Sequence, residues 1–119
     1  MSTKINIDGL NQAIQKNTVN LFYAPWCDHC KKLHPTYEEF ASEVKRDYPM
    51  LHVTRIDMHK HGQEVKQTRL GETQFGEPVS KAVGGFPTLM FFRKDGDSRV
   101  YSGERTKEGL MQAVRTFYG

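Results

Sequence analysis

The stretch "APWCDHCKKLHP", residues 24–35, contains both cysteines of the chain, and only Asp28 and His29 separate Cys27 from Cys30. A short apolar segment precedes this stretch and a helical pattern follows it, so the cysteines lie where a strand gives way to a helix. A C-x-x-C motif has three ordinary interpretations: a redox pair, half of a zinc site, or two buried thiols with no special role. The spacing alone does not decide among them.

The segments around the cysteines favour alternating strands and helices. "TVNLFYA", residues 18–24, is short, β-branched and aromatic, which is typical of a buried strand. Apolar residues then recur at helical spacing from Leu33 to Val44 and predict an amphipathic helix over residues 27–46. Pro35 lies inside this helix and predicts a kink.

Weaker patterns fill the amino-terminal and middle parts of the chain. Asp8 is expected to cap a short helix, with a leading strand over residues 4–7. Residues 50–58 predict a second strand, but both of its faces carry apolar side chains, so the buried face stays open. A helix over residues 63–70 and a glycine-rich loop over residues 71–78 are expected to follow.

The carboxyl-terminal part predicts a hairpin and a helix. "PTLMFF", residues 87–92, is a strand pattern, and a turn at Asp95 and Gly96 joins it to "RVYS". A last helix is expected to begin near Thr106 and to bury three apolar residues, Leu110, Val114 and Phe117. Alternating elements followed by a hairpin predict an α/β fold, in which a central mixed sheet has helices on both faces.

Composition limits the classes of protein to which the chain can belong. Its 119 residues suit a single domain over residues 1–119, and 37% hydrophobic with 26% charged residues argues against both disorder and membrane spans. A net charge of +3 is too small for a nucleic-acid surface. Neither end carries a targeting pattern, so the chain as it stands is expected in the cytoplasm. The endoplasmic reticulum is the alternative if targeting segments were removed or supplied otherwise.

The position of the cysteines gives the redox interpretation a physical basis. Cys27 lies at the exposed start of a helix, where free N–H groups and the helix dipole favour a thiolate, so it is expected to be the attacking thiol. Cys30 lies one turn deeper, close enough for a bridge after local adjustment. A protonated His29 would stabilise the thiolate and make the pair more oxidising, and Asp28 would oppose it. The alternative for both is an exposed polar residue. Zinc would need further ligands, and five histidines are available.

Three segments resemble one known family. "LFYAPWCDHCKKLHP", residues 21–35, is similar to the active-site segment of the a-type domains of protein disulfide isomerase, in the thioredoxin superfamily. "GGFPTLMFF", residues 84–92, resembles their cis-proline segment, and "YSGERTKEGL", residues 101–110, resembles the end of the hairpin and the start of the last helix. The resemblance implies a thioredoxin fold and a thiol–disulfide oxidoreductase.

The resemblance also implies roles for individual residues. Cys27 matches the nucleophile and Cys30 the resolving thiol, and the two would form the catalytic disulfide. Trp26 matches the tryptophan before the nucleophile, and Pro87 the cis-proline that faces the disulfide. The backbone at Phe86 would then turn toward the site and pair with a substrate strand.

Other positions qualify this resemblance. Arg105 matches an arginine that, in these domains, lowers the pKa of the resolving cysteine. Leu21 stands where the family has a buried acid that moves the proton of that thiol. Without this acid, the deprotonation of Cys30 must rely on water, on Arg105 or on another group, so mixed disulfides are expected to resolve more slowly than in a typical relative. Asp28 replaces a glycine and is expected to make the pair more reducing. The segment 57–87 is longer than usual, either as a partner-binding loop or as a plain insertion.

The leading functional interpretation is an oxidoreductase, expected to be a monomer, that acts on cysteine-containing protein substrates. It needs no cofactor, but a reductase, an oxidant or glutathione must recycle it. The alternatives are a redox-inactive binding or chaperone module and a metal-binding protein. The sequence leaves open whether reduction, oxidation or isomerisation dominates, since Asp28 and His29 act in opposite directions.

Overall fold

Strands and helices alternate through the computed structural model, which describes residues 1–68 and 78–119. Its elements, in chain order, are β1 (Thr3–Ile5), α1 (Ile7–Ala13), β2 (Thr18–Tyr23), α2 (Asp28–Asp47), β3 (His52–Asp57), α3 (Met58–Val65), α4 (Val79–Ala82), β4 (Thr88–Phe92), β5 (Ser98–Val100) and α5 (Lys107–Tyr118). None of the helices in this described part is long and apolar enough to cross a membrane.

The strands form one mixed sheet in the order β1-β3-β2-β4-β5. β1, β3 and β2 run parallel, whereas β4 pairs antiparallel with β2 and with β5. β2 is therefore the central strand, and it lies where parallel pairing changes to antiparallel pairing. The expected mixed sheet is confirmed.

Apolar side chains from both faces of the sheet are buried under helices. On one face, Leu21 and Val53 join a core that α2 and α5 cover. On the other face, Phe22 and Ile56 join a core that includes Leu10 of α1 and residues of α3 and α4. This arrangement answers the open question about the second predicted strand: β3 is buried on both faces, and so is β2.

Two helix starts differ from the expectation. Asn6, not Asp8, caps α1, because the Asn6 side chain accepts a hydrogen bond from the Gly9 backbone nitrogen at 3.0 Å. α3 begins at Met58, earlier than the predicted residue 63, because the Asp57 carboxylate accepts hydrogen bonds from the backbone N–H groups of His59 and Lys60. The strand at the amino terminus, β1, is confirmed.

Most of the predicted glycine-rich loop lies outside the described residues, as does the end of the helix predicted over residues 63–70. Pro78, at the end of that loop, directly precedes α4, a short helix that the sequence did not indicate. Pro35 lies inside α2 as expected, and its kink stays a prediction.

The predicted carboxyl-terminal elements are confirmed. Gly96, with φ of 96°, forms the turn between β4 and β5, a backbone conformation that favours glycine. Thr106 caps α5 by accepting a hydrogen bond from the Gly109 nitrogen at 3.0 Å. The three apolar residues predicted to be buried in this helix are all buried: Leu110, Val114 and Phe117.

Candidate active site

Both cysteines lie directly after β2, at the carboxyl end of the central strand. Cys27 is the capping residue of α2, and its sulfur accepts a hydrogen bond from the Cys30 backbone nitrogen at 3.3 Å. A cap in this position satisfies a helix N–H group that would otherwise lack a partner. The sequence therefore placed the start of the helix correctly, and Cys27 receives the N–H donors expected there.

The expectation that Cys27 stands exposed at the helix start is wrong. Its exposed fraction is 8%, close to the 5% of Cys30, and both thiols are free. The reason is local packing: the two cysteines and Ala24 form a small buried cluster against the partly buried rings of Tyr23 and Phe86. Exposure therefore does not separate the roles of the two thiols.

Hydrogen bonding separates them instead. The pKa of Cys27 is lowered, first by a hydrogen bond from the Cys30 side chain and further by the backbone N–H groups of Cys30 and His29, which together outweigh burial. Asp28 acts in the opposite direction, because its negative charge raises this pKa. The lowered pKa favours the thiolate form of Cys27, which is the nucleophilic form of a cysteine.

Cys30 has the opposite character. Burial is the main cause that raises its pKa to about 11, and its hydrogen bond to Cys27 acts in the same direction. The positive charge of Arg105 lowers this pKa but does not outweigh burial. Cys30 therefore holds its proton at neutral pH and must lose it before it can act as a nucleophile.

The cis-proline segment lies against the nucleophile. The peptide bond between Phe86 and Pro87 is cis, as the sequence predicted. The Cys27 thiol donates a weak hydrogen bond to the Phe86 carbonyl oxygen, with 3.6 Å between sulfur and oxygen. Trp26 is 62% exposed, and its ring meets the Phe86 ring edge to face, with 6.0 Å between centroids. The structure brings these residues together on one surface.

Arg105 also reaches this site. Its Nη2 atom donates to the Pro87 carbonyl oxygen at 3.5 Å, and its charge acts on Cys30. The role of Arg105 during catalysis stays a prediction.

Asp28 and His29 are both exposed at the start of α2. The Asp28 carboxylate lies 3.9 Å from the Lys31 amino group, and their side chains are 89% and 63% exposed, so the pair is weak. His29 acts on Cys27 through its backbone N–H group. The proposed effect of its imidazole charge stays a prediction.

Leu21 fills the position of the family's buried acid, and it is buried in the core between the sheet and α2, with an exposed fraction of 2%. It lines a cavity of about 240 Å³ together with Cys30, and His34 and Arg55 line the same cavity. The sequence reasoning considered His34 only as a zinc ligand and missed Arg55. His34 follows Cys30 by four residues, a spacing that could have indicated their shared helix face.

Among residues 1–68 and 78–119, no group of three or more His, Cys, Asp or Glu side chains is placed to hold a metal ion. The five histidines that the sequence offered as further ligands therefore do not gather with the cysteines in this described part.

Comparison with known proteins identifies relatives for almost the whole chain. The family model for thioredoxin matches residues 3–116. Protein disulfide isomerase-like 1-4 of Arabidopsis thaliana is 38% identical over 98 residues, which cover 82% of this chain and 14% of the relative. Protein disulfide-isomerase A4 of Mus musculus is 40% identical over 107 residues, which cover 88% of this chain and 14% of the relative. The chain thus spans a minor part of these relatives.

Solved structures give the same fold. The first thioredoxin domain of mouse protein disulfide-isomerase A4 matches with a TM-score of 0.74 and 28% identity, over 98% of this chain and 74% of that chain. Human ERp44 form I matches with a TM-score of 0.77 over 97% of this chain and 29% of that chain. Its identity of 23% supports the fold alone.

Proposed function

Because this chain belongs to the thioredoxin family, we propose that it is a thiol–disulfide oxidoreductase that acts on cysteine-containing protein substrates through Cys27 and Cys30. Its relatives include protein disulfide isomerases, which supports chemistry on protein disulfides. The observation that carries the proposal is the difference between the two thiols: the pKa of Cys27 is lowered and that of Cys30 is raised to about 11.

The first step uses the Cys27 thiolate. It attacks one sulfur of a substrate disulfide, so that a bond forms between the Cys27 sulfur and the substrate while the substrate disulfide breaks. The leaving substrate thiolate takes a proton from solvent. Hydrogen bonds at the start of α2 stabilise the attacking thiolate.

The second step uses Cys30. After losing its proton, Cys30 attacks the Cys27 sulfur, the Cys27–Cys30 disulfide forms, and the second substrate thiolate leaves. The substrate gains two electrons and the chain loses two. The reverse sequence oxidises a substrate, and a reductase, an oxidant or glutathione returns the chain to its starting state.

The surface beside Cys27 is suited to an extended substrate chain. The Phe86 carbonyl oxygen lies next to the nucleophile, and the exposed Trp26 ring stands beside it. A substrate backbone that pairs with this segment would place its disulfide at the Cys27 sulfur. The cis bond before Pro87 belongs to the same segment.

Insulin reduction and the refolding of a scrambled disulfide substrate, run side by side, test the proposal and show which direction dominates. Cys27→Ser should abolish exchange in both assays, because it removes the nucleophile. Cys30→Ser should form a mixed disulfide with the substrate that persists and can be isolated. Normal turnover by Cys30→Ser would contradict the proposal.

A redox-inactive binding module is the second candidate, since the exposed Trp26 beside Phe86 could hold a partner protein without chemistry. Aggregation of an unfolded substrate separates the two functions. The binding module would be favoured by two results together. The Cys27→Ser/Cys30→Ser variant would suppress aggregation as well as the unmodified chain does, and the unmodified chain would show no exchange activity.

A further inference from the structure

We propose that His34 accepts the proton of Cys30, through water in the cavity that both side chains line, when the mixed disulfide resolves. This inference rests on the proposed function and assigns its second step to a specific base.

The cavity joins the two residues. Its volume of about 240 Å³ exceeds the ~30 Å³ that a water molecule occupies in the liquid, and its walls include polar side chains. Cys30 and His34 lie four residues apart in α2, so they share one helix face. Since His34 is also exposed, it can return the proton to solvent.

Cys30 needs such an acceptor. In the reduced pair, where the pKa of Cys30 is about 11, on the order of one Cys30 in ten thousand is a thiolate at pH 7. The bond to a substrate removes the Cys27 thiol, which contributes to this pKa, but burial, its main cause, remains, so the Cys30 thiolate stays a minor species. Attack by the preformed thiolate would therefore be rare. A nearby base that takes the proton as the sulfur attacks raises the rate, typically by ~10²- to 10⁴-fold.

Among the residues that line the cavity, His34 is suited to this task. The other lining residues are Leu21, Tyr23, Ala24, Pro25, Lys31 and Arg55. Lysine and arginine side chains have no lone pair free to accept a proton at neutral pH, and a phenol is a weak base. Imidazole is the side chain that ordinarily gains and loses a proton near neutral pH.

The charges around the cavity favour both products of the transfer. Glu38 follows His34 by one helical turn, and the two interact electrostatically, so the Glu38 carboxylate attracts the imidazolium that forms. Arg55, on β3, lies 3.6 Å from Glu38, and Lys31 is on the same helix as His34. The positive charge of Arg105 attracts the Cys30 thiolate.

The step balances. The Cys30 proton passes to a water molecule as that water gives a proton to His34. The Cys30 sulfur then bonds to the Cys27 sulfur, and the bond from Cys27 to the substrate sulfur breaks. The substrate leaves as a thiolate, and His34 releases its proton to solvent.

The test measures this step alone. Cys27 is loaded with glutathione at acidic pH by an activated glutathione disulfide, and mass spectrometry confirms the mixed disulfide. The pH is then raised, and the release of glutathione is followed by rapid quenching. Chemical loading does not require the chain to act on any protein substrate, so the result is separate from that of the insulin assay.

His34→Gln should release glutathione at least about tenfold more slowly at pH 7, because the general base is lost. The rate for the variant should rise steadily with pH, because a growing fraction of Cys30 loses its proton, and the unmodified chain should show an additional base-catalysed component that the variant lacks. His52→Gln is the matched control, since His52 is exposed at the start of β3, away from the cavity. Its rate should be unchanged.

Two further variants test whether the rate depends on a base at the cavity. His34→Ala should respond to added imidazole, which can enter the space left by the ring and restore the rate. Leu21→Glu, which places a carboxylate at the cavity, should accelerate His34→Gln more than it accelerates the unmodified chain. Release by His34→Gln at the unmodified rate across the pH range would overturn the proposal, as would slow release by His34→Ala that imidazole does not relieve.

Discussion

Asp28 is the side chain between the cysteines whose charge opposes the nucleophile, since it raises the pKa of Cys27. Asp28→Asn should therefore lower that pKa further and stabilise the reduced chain. The redox potential should rise by about 10 to 30 mV, a small change because Asp28 is 89% exposed and its charge is screened by solvent. Alkylation of Cys27 as a function of pH and equilibration with glutathione measure the two effects.

Asp8→Asn is the matched control for this change, because Asp8 is an exposed carboxylate in the first turn of α1, as Asp28 is in α2. It removes the same charge far from the cysteines and should leave the potential unchanged. A potential that moves equally in both variants, or not at all in Asp28→Asn, would show that the local charge does not tune the pair.

At the scale of elements, Glu38 of α2 interacts with Ser2, which directly precedes β1, and with Arg55 of β3. Its carboxylate accepts hydrogen bonds from the Ser2 backbone nitrogen at 2.8 Å and from the Ser2 hydroxyl, and Arg55 donates to the Ser2 carbonyl oxygen at 2.7 Å. Burial by itself raises the pKa of Glu38, but the Ser2 hydrogen bonds and the Arg55 and His34 charges outweigh it, so this pKa is lowered. The ionised carboxylate therefore stabilises the fold.

These interactions of Glu38 predict that the free energy of unfolding declines as the pH falls. The pKa of Glu38 in the folded chain lies below its value in the unfolded chain, near ~4.3. The stabilisation that the ionised carboxylate gives is therefore complete above the unfolded pKa and is lost as the pH falls through the folded pKa. Glu38→Gln should reduce the free energy of unfolding at pH 7 and weaken its decline between about pH 5 and pH 3. Denaturant unfolding across this range measures both effects. Glu39→Gln changes an exposed neighbouring carboxylate and should leave the decline of the free energy of unfolding with falling pH as it is in the unmodified chain. The same decline in both variants would contradict the stabilising role of the Glu38 carboxylate.

The elements also show what a sequence can and cannot predict. α2 was predicted from its helical period and β2 from its short, β-branched and aromatic composition, and the glycine at position 96 marked its turn. Asn6 and Asp8 are both good caps, so only the backbone path decides which one reaches the Gly9 nitrogen.

The cavity beside Cys30 could not be predicted from the sequence for a related reason. Leu21 lies opposite Arg55 through the register of β2 with β3, and strand register is a property of the folded sheet. The resemblance to the family located the cysteines and the cis-proline, but the polar residues that line the cavity beside Leu21 emerged only from packing.

At the scale of the whole molecule, the nucleophile is anchored to its most enclosed strand. β2 has helices over both faces and strands on both sides, so the segment that ends at Cys27 starts from a rigid base. Tyr118, near the end of the chain, holds the opposite end of this strand. Its hydroxyl lies 2.8 Å from the Phe92 carbonyl oxygen and 3.0 Å from that of Thr18, and thus joins α5 to both β4 and β2.

Removing this hydroxyl should weaken the whole fold without touching the site. Tyr118→Phe should lower the free energy of unfolding by about 1 kcal/mol, the usual net value of one hydrogen bond, and reduce Tm by about 4 °C. Calorimetry measures both, and the alkylation rate of Cys27 should stay the same. Tyr48→Phe, at a partly buried tyrosine that ends α2, should cost less.

Alkaline pH gives this prediction a second readout. Burial raises the pKa of Tyr118 above its ordinary value, so the folded chain keeps a proton that the unfolded chain loses. The stability from this group is complete below the unfolded pKa near ~10 and declines as the pH rises toward the folded value. Tyr118→Phe lacks the hydroxyl that titrates at this position, so its free energy of unfolding should fall less steeply above about pH 10 than that of the unmodified chain. Equal slopes would mean that the hydroxyl at the end of α5 does not couple to the folding of the sheet.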